Sequence, residues 1–121
     1  MDVFLTDCSH FENIEALPYK ANMHIISRKI LREFCQKHSD SCDAIYNWRR
    51  IASKADWKNL NDVQKTYRTA EAVGSFTVFN IKENHYRLIV DIIYASQRIY
   101  IKYILTHADY DKGKWKNDPY F

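Results

Sequence analysis

Three stretches decide the fold of this chain: "FTVFNIK" (residues 76–82), "YRLIVDIIY" (86–94) and "RIYIKYIL" (98–105). Each is rich in β-branched and aromatic residues, and apolar positions recur with a period of two, the pattern of half-buried strands. The tripeptides between them, "ENH" and "ASQ", are short enough for hairpin turns. Neither contains the Gly such turns prefer, so Glu83 or Asn84 is expected to accept an unusual turn geometry. Alternation assigns Phe79, Ile81, Leu88, Val90, Ile92, Ile99 and Ile101 to the core. Asn80 and Lys82 share a face of the first strand, Arg87 and Asp91 a face of the second, and Arg98, Tyr100 and Lys102 a face of the third. A register that aligns these sets makes the sheet's outer face polar and basic.

Upstream the period changes. "RKILREFCQKH" puts Ile30, Leu31, Phe34 and Cys35 on one helical stripe, with Ser27 placed to cap it. A second helix over about residues 40–55 gathers Ile45, Trp48, Ile51, Ala52 and Ala55 on one side, with Asp43, Asn47, Arg50 and Lys54 on the other. "WKNLNDVQKTY" predicts a short third helix through Leu60, Val63 and Tyr67, and "RTAEAVGS" a loop. "MHIIS" (23–27) reads as a short strand and as a plausible translation start. The sum is an α+β fold, a small antiparallel sheet of one N-terminal strand plus a C-terminal three-strand meander, with two or three helices on one face.

The 121 residues are enough for a single domain with a core that needs no disulfides. Nine Tyr, six Phe and three Trp accompany only two Gly and two Pro, so regular structure dominates. No apolar run reaches membrane-spanning length, and the acidic, interrupted N-terminus is not a signal peptide. Cys8, Cys35 and Cys42 form an odd set without CxxC spacing, which predicts reduced thiols in a cytoplasmic protein. Residues 1–22 carry a net −3 and read as an acidic extension, with a short helix around Phe11–Leu17. The body, residues 23–121, carries +6, the balance of a domain that meets a polyanion, RNA or DNA first. Solubility alone also accounts for such a charge.

The third strand ends in "THADYDKG" (106–113). Its first four residues match the capping box [ST]-x-x-[DE], with Thr106 as cap, Asp109 reaching back to it, and Gly113 ending a one-and-a-half-turn helix. Helical spacing brings Tyr110 and Asp111 beside His107. The helix start adds partial positive charge, which welcomes phosphate. An RNA phosphodiester carries its own nucleophile, the 2′-OH, and its own leaving group, the 5′-oxygen. A protein that cleaves it needs a proton acceptor, a proton donor and cations for the phosphorane, and no metal. His107, Tyr110, Arg87, Lys82 and Lys112 supply those groups.

Each residue also has an ordinary structural reading. A capped terminal helix with exposed charges is most often surface, Arg87 can simply pair with Asp91, and Lys82, Lys102 and Lys112 can simply be solvated. His10, His24, His38 and His85 lack partners at metal-ligand spacing, so they offer no zinc site. No nucleotide-binding loop, GxSxG or Cys–His arrangement is present.

Taken together, "MHIISRKILREF", "WRRIASKADWKN" followed by "DV", "VFNIKENHYRLIV" and "IYIKYILTHADYDK" resemble, in order and spacing, the HigB-type toxins of bacterial toxin–antitoxin modules, within the RelE-like group. The resemblance covers residues 23 to about 114. It implies a RelE-like α+β fold and a metal-independent endoribonuclease, without a cofactor. Such an enzyme cleaves translated mRNA by 2′-OH attack in the A site of the small ribosomal subunit. The resemblance also implies a HigA-like helix-turn-helix antitoxin that neutralises the toxin and carries it to promoter DNA, and no membrane. On that likeness Arg87, His107, Tyr110 and Lys82 are catalytic, and Asn80, Asn84, Lys102, Asp111, Lys112 and Lys54 contact RNA. Two features depart from the family: Glu83 stands where Gly is common, and the acidic extension lies outside the pattern. They keep open a non-catalytic growth-arrest toxin that binds a protein such as gyrase, or a degenerate partner that binds only antitoxin or promoter.

Overall fold

The computed structural model describes residues 23–121. The acidic extension, its expected helix at Phe11–Leu17 and Cys8 lie outside the described residues. Strand β1 (His24–Ile26) leads into α1 (Arg28–Lys37), a 3₁₀ turn (Ser39–Ser41), α2 (Cys42–Ser53) and α3 (Leu60–Thr66). Then come β2 (Glu71–Val73), β3 (Phe76–Ile81), β4 (Tyr86–Ile93), β5 (Arg98–Thr106) and α4 (His107–Lys112). The sheet runs β1-β5-β4-β3-β2. The meander β3–β4–β5 is antiparallel as its alternation predicts, while β1 lies parallel to β5, with Ile25 opposite Ile99. The fold is α+β and RelE-like, with an open five-stranded mixed sheet.

The strand β2 falls where a loop is expected. "AVGSF" is in fact a two-residue hairpin: Val73 pairs with Phe76, and Gly74 takes φ 61° at the first central position, as a type II′ turn requires. The helical expectations hold, with one change of mechanism. Ser27 adopts a left-handed φ of 75° and its hydroxyl caps nothing. Asn59 supplies the side-chain cap for α3, accepting the Asp62 N–H at 3.0 Å.

The main core lies between the helices and one face of the sheet. All seven strand residues assigned to it are buried, and Ile104 joins them. Phe79 is its centre, edge-on to Trp48 at 5.3 Å and surrounded by Trp57 and Tyr67. Burial there pushes the Tyr67 phenol up to about 12.

The outer face corrects an expectation. Asn80 pairs with Arg87 and Asp91 with Tyr100 on it, as the expected register requires, but beside these polar residues it carries a second apolar cluster, Phe76, Val78, Ile89 and Trp115, covered by the chain that follows β5. On β5 strict alternation also fails, because β4 and β5 shift register between Ile89 and Val90. The extra residue puts both Ile101 and Ile104 under the helices. Lys102 and Tyr103 both meet Asp118, at 3.3 and 2.8 Å. A second correction concerns the thiols: Cys35, on the inner stripe of α1, and Cys42, the first residue of α2, form a disulfide with Cα atoms 4.9 Å apart.

Gly74 generates a stability prediction. Its positive φ strains any other residue, and an added Cβ would stand 2.6 Å from the Phe121 ring. Gly74→Ala is expected to cost about 1–2 kcal/mol from the backbone alone, more if Phe121 leaves Trp115. Ser75→Ala should stay within about 0.5 kcal/mol. Urea denaturation of the two variants measures the difference.

Candidate functional site

The turn between β3 and β4 comes first, because two site residues hang from it. Lys82 and Glu83 both take left-handed φ, 50° and 59°, so the unusual geometry falls on Glu83, and on Lys82 rather than Asn84. The turn is closed by the His85 N–H donating to the Lys82 carbonyl at 3.1 Å, reinforced by His85 Nδ1 at 2.9 Å from the same oxygen. Asp40, in the 3₁₀ turn, anchors it from below. Its carboxylate accepts from Lys82 Nζ at 2.9 Å and from the Tyr86 hydroxyl at 2.7 Å. The Lys82 bond, then the Tyr86 bond, hold the Asp40 carboxyl below its usual value, and Asp40 in turn pushes the Tyr86 phenol up.

On the outer side, Asn80 stands opposite Arg87 in the β3–β4 ladder. Both line a cleft of about 490 Å³ together with Gln64, Arg68, Glu71 and Tyr110. The Arg87 guanidinium donates to the Asn84 carbonyl at 3.1 Å and lies 5.4 Å from the centre of the Tyr110 ring. Tyr110 is stacked on the buried Trp115, with centroids 5.1 Å apart and planes 16° apart, and Trp115 Nε1 donates to the Tyr110 carbonyl at 3.0 Å. Burial pushes the Tyr110 phenol up, as do the carboxylates Glu71 and Asp111, against the pull of Arg87. Tyr110 therefore keeps its proton at neutral pH and can donate it.

Half of the expected capping box forms at helix α4: the Thr106 hydroxyl accepts the Asp109 N–H at 3.2 Å and Gly113 ends the helix with φ 74°, but the Asp109 side chain does not reach back to the Thr106 N–H. The Asp109 carboxylate itself pairs with Lys112, at 3.5 Å. The His107 N–H donates to the His85 carbonyl at 3.1 Å, which fastens the helix start to the turn. The exposed His107 ring places Nδ1 2.9 Å from an Asp111 carboxylate oxygen. A carboxylate only accepts, so Nδ1 carries the hydrogen and Nε2 is the free acceptor of the neutral ring. This is the pairing a general base uses.

A second, more open cleft of about 540 Å³ adjoins the first. Thr69 and Asn80 belong to both, and Glu83, Asn84 and His85 complete it. The structure thus brings Arg87, Tyr110, Asn80 and Asn84 to one connected depression, while His107 and Asp111 line neither cleft and are tied to the β3–β4 turn through the His85 carbonyl. It does not bring the lysines there. Lys82 turns back to Asp40, Lys102 is held by Asp118 on the outer face, Lys112 pairs with Asp109, and Lys54 follows the end of α2. Sequence reading missed Arg68 and Glu71, because "RTAEAVGS" reads as a loop until its Gly-Ser dipeptide is taken as a hairpin turn, and it missed Gln64, which sits on the third helix. It missed Trp115 as the floor beneath Tyr110 because nothing local marks that contact.

In chemical terms the first cleft offers two guanidiniums, two amides and a phenol against one carboxylate, a set that can grip a phosphate and donate a proton. The family model for HigB toxin, the RelE-like toxic component of a toxin–antitoxin system, matches residues 41–113. The chain is 25% identical over 93 residues to the mRNA interferase HigB of Escherichia coli O6:H1 (strain CFT073), covering 74% of this chain and 90% of that protein. It is 23% identical over 92 residues to the mRNA interferase toxin HigB of Escherichia coli K12, covering 74% and 88%. The chain belongs to the HigB toxin family.

Asp40 generates an acid-stability prediction. A carboxyl whose value is lowered on folding stabilises the fold above the unfolded value, 3.8, and that contribution disappears as pH falls through the lowered folded value. Asp40→Asn should therefore melt earlier than the parent at neutral pH, with the gap closing below pH 3.8. Thermal melts across that range, read by circular dichroism, check it.

Proposed function

We propose that this protein is the toxin of a type II toxin–antitoxin module and acts as a ribosome-dependent endoribonuclease on translated mRNA. The observation that carries the reading is the Arg87 guanidinium over Tyr110 at the mouth of a cleft that also holds Arg68 and Asn80. Arg87 holds the scissile phosphate and stabilises the charge that builds on the phosphorane, with Arg68 as second cation. The Nε2 of His107, its ring oriented by Asp111, takes the proton of the attacking 2′-OH. Tyr110, a phenol and so protonated at neutral pH, hands a proton to the departing 5′-oxygen. The bond between phosphorus and the 5′-oxygen breaks as the 2′-oxygen bonds to phosphorus, leaving a 2′,3′-cyclic phosphate and a 5′-hydroxyl. No step in this scheme requires a metal.

Asn80 and Asn84 contact the RNA beside the phosphate. Lys82, tied to Asp40, acts by holding the turn, and Lys54, Lys102 and Lys112 add charge toward ribosomal RNA. The acidic segment 1–22 is a separate extension from the toxin body of residues 23–121. The working place is the cytoplasm, in the A site of the ribosome's small subunit. The neutraliser is a HigA-like helix-turn-helix antitoxin through which the toxin reaches promoter DNA. The names of the relatives, mRNA interferases, support the substrate.

Two variants test it. Arg87→Ala and His107→Ala are each expected to lower mRNA cleavage by about 10²–10³-fold and to abolish growth arrest on induction, with the circular dichroism spectrum unchanged. Primer extension on a defined mRNA, with and without translating ribosomes, reads the cleavage. Full toxicity of both variants overturns the reading, and arrest with intact mRNA moves it to a toxin that acts on a protein target.

A further inference from the structure

The second cleft differs from the first in the charge of its walls. The first has Arg68 and Arg87 against one carboxylate, Glu71. The second has no Lys or Arg in its lining: Thr69, two amides, the His85 imidazole and the carboxylate of Glu83. Glu83 is placed there by the left-handed turn, φ 59°, and among the described residues no hydrogen bond or ion pair engages its side chain. A cleft with an unengaged anion and no cation repels phosphate. It suits a neutral, planar group rich in hydrogen-bond donors, next to the place where a phosphate is held.

We propose that the second cleft receives the nucleobase adjoining the phosphate of the first cleft, and that Glu83 selects a base bearing an exocyclic amino group over uracil. This rests on the RNA reading of the first cleft. A carboxylate accepts hydrogen bonds only. Adenine, cytosine and guanine each offer it an amino N–H. Uracil offers a single ring N–H between two carbonyl oxygens, and those oxygens are repelled. The amides of Asn80 and Asn84 can donate to the ring nitrogen or carbonyl beside the amino group, and Thr69 can do either. His85, with Nδ1 fixed on the Lys82 carbonyl, presents a flat ring on which a base can stack. Asn80 belongs to both clefts, so it spans from phosphate to base.

The test uses the whole chain and the four nucleoside 3′-monophosphates, with binding followed by NMR titration. The amino-bearing nucleotides should bind about tenfold tighter than 3′-UMP, and Glu83→Gln should erase most of that difference. The Glu83→Gln variant keeps the side-chain length and the turn. Equal binding of all four by the parent overturns the proposal. So does a variant in which all four affinities rise together, because Glu83 would then act only as a charge near the phosphate. Primer extension separates this from the nuclease reading: mRNA cleavage with no Glu83-dependent base preference sinks the base pocket alone, while base-selective binding without cleavage sinks the nuclease alone.

Discussion

Arg87 lies over the face of Tyr110, and Tyr110 lies flat on Trp115. This three-layer stack ties the chain after β5 to the outer face of the sheet. Trp115 belongs to the apolar cluster on the outer face, so the chain after β5 is packed there by the burial of a large aromatic ring. Tyr110 passes that rigidity upward and removes one face of its ring from water, which also pushes its phenol up. Arg87, on the middle strand of the sheet, gains a fixed direction from the cation–π contact and from its bond to Asn84. A guanidinium fixed in this way meets a phosphate without first losing the freedom of a long side chain.

The same sheet carries a different kind of support on its helical side. Asp40 draws in Lys82 and the Tyr86 hydroxyl, so the β3–β4 turn is held from the helices below while Asn80, Glu83 and Asn84 look out above. Two left-handed non-glycine residues in one turn are costly. The anchor at Asp40 and the bond from His85 offset that cost, and the result is a turn whose exposed groups keep their places. Lys82 therefore serves the site through the backbone it fixes, while the charge its sequence position suggests for the cleft is supplied by Arg68.

Much of this is legible in the sequence, and the exceptions share a cause. The seven core residues of β3, β4 and β5 follow from alternation, and α4 follows from Thr106, Asp109 and Gly113, because both signals are local. The pairing of His107 with Asp111, and Tyr110 on the same short helix, follow from helical spacing. What fails depends on geometry between elements. The shift at Ile89–Val90 moves Lys102 off its expected pattern, and no propensity marks a bulge of that kind. Strand parity assigns Lys82 to the cleft, yet its φ of 50° ends the strand there. The Cys35–Cys42 pair hides in an odd count, because the third cysteine belongs to the extension and parity says nothing about neighbours in space.

Among the described residues the outermost strands, β1 and β2, are each only three residues long. A rail of that length spans about 10 Å and presents few open amide and carbonyl groups to a neighbouring chain. Templated ladder growth, the route by which exposed sheets seed fibrils, therefore has little to start from on either margin. Among the described residues, the faces and hollows of the sheet therefore offer a neighbouring chain more than its margins do.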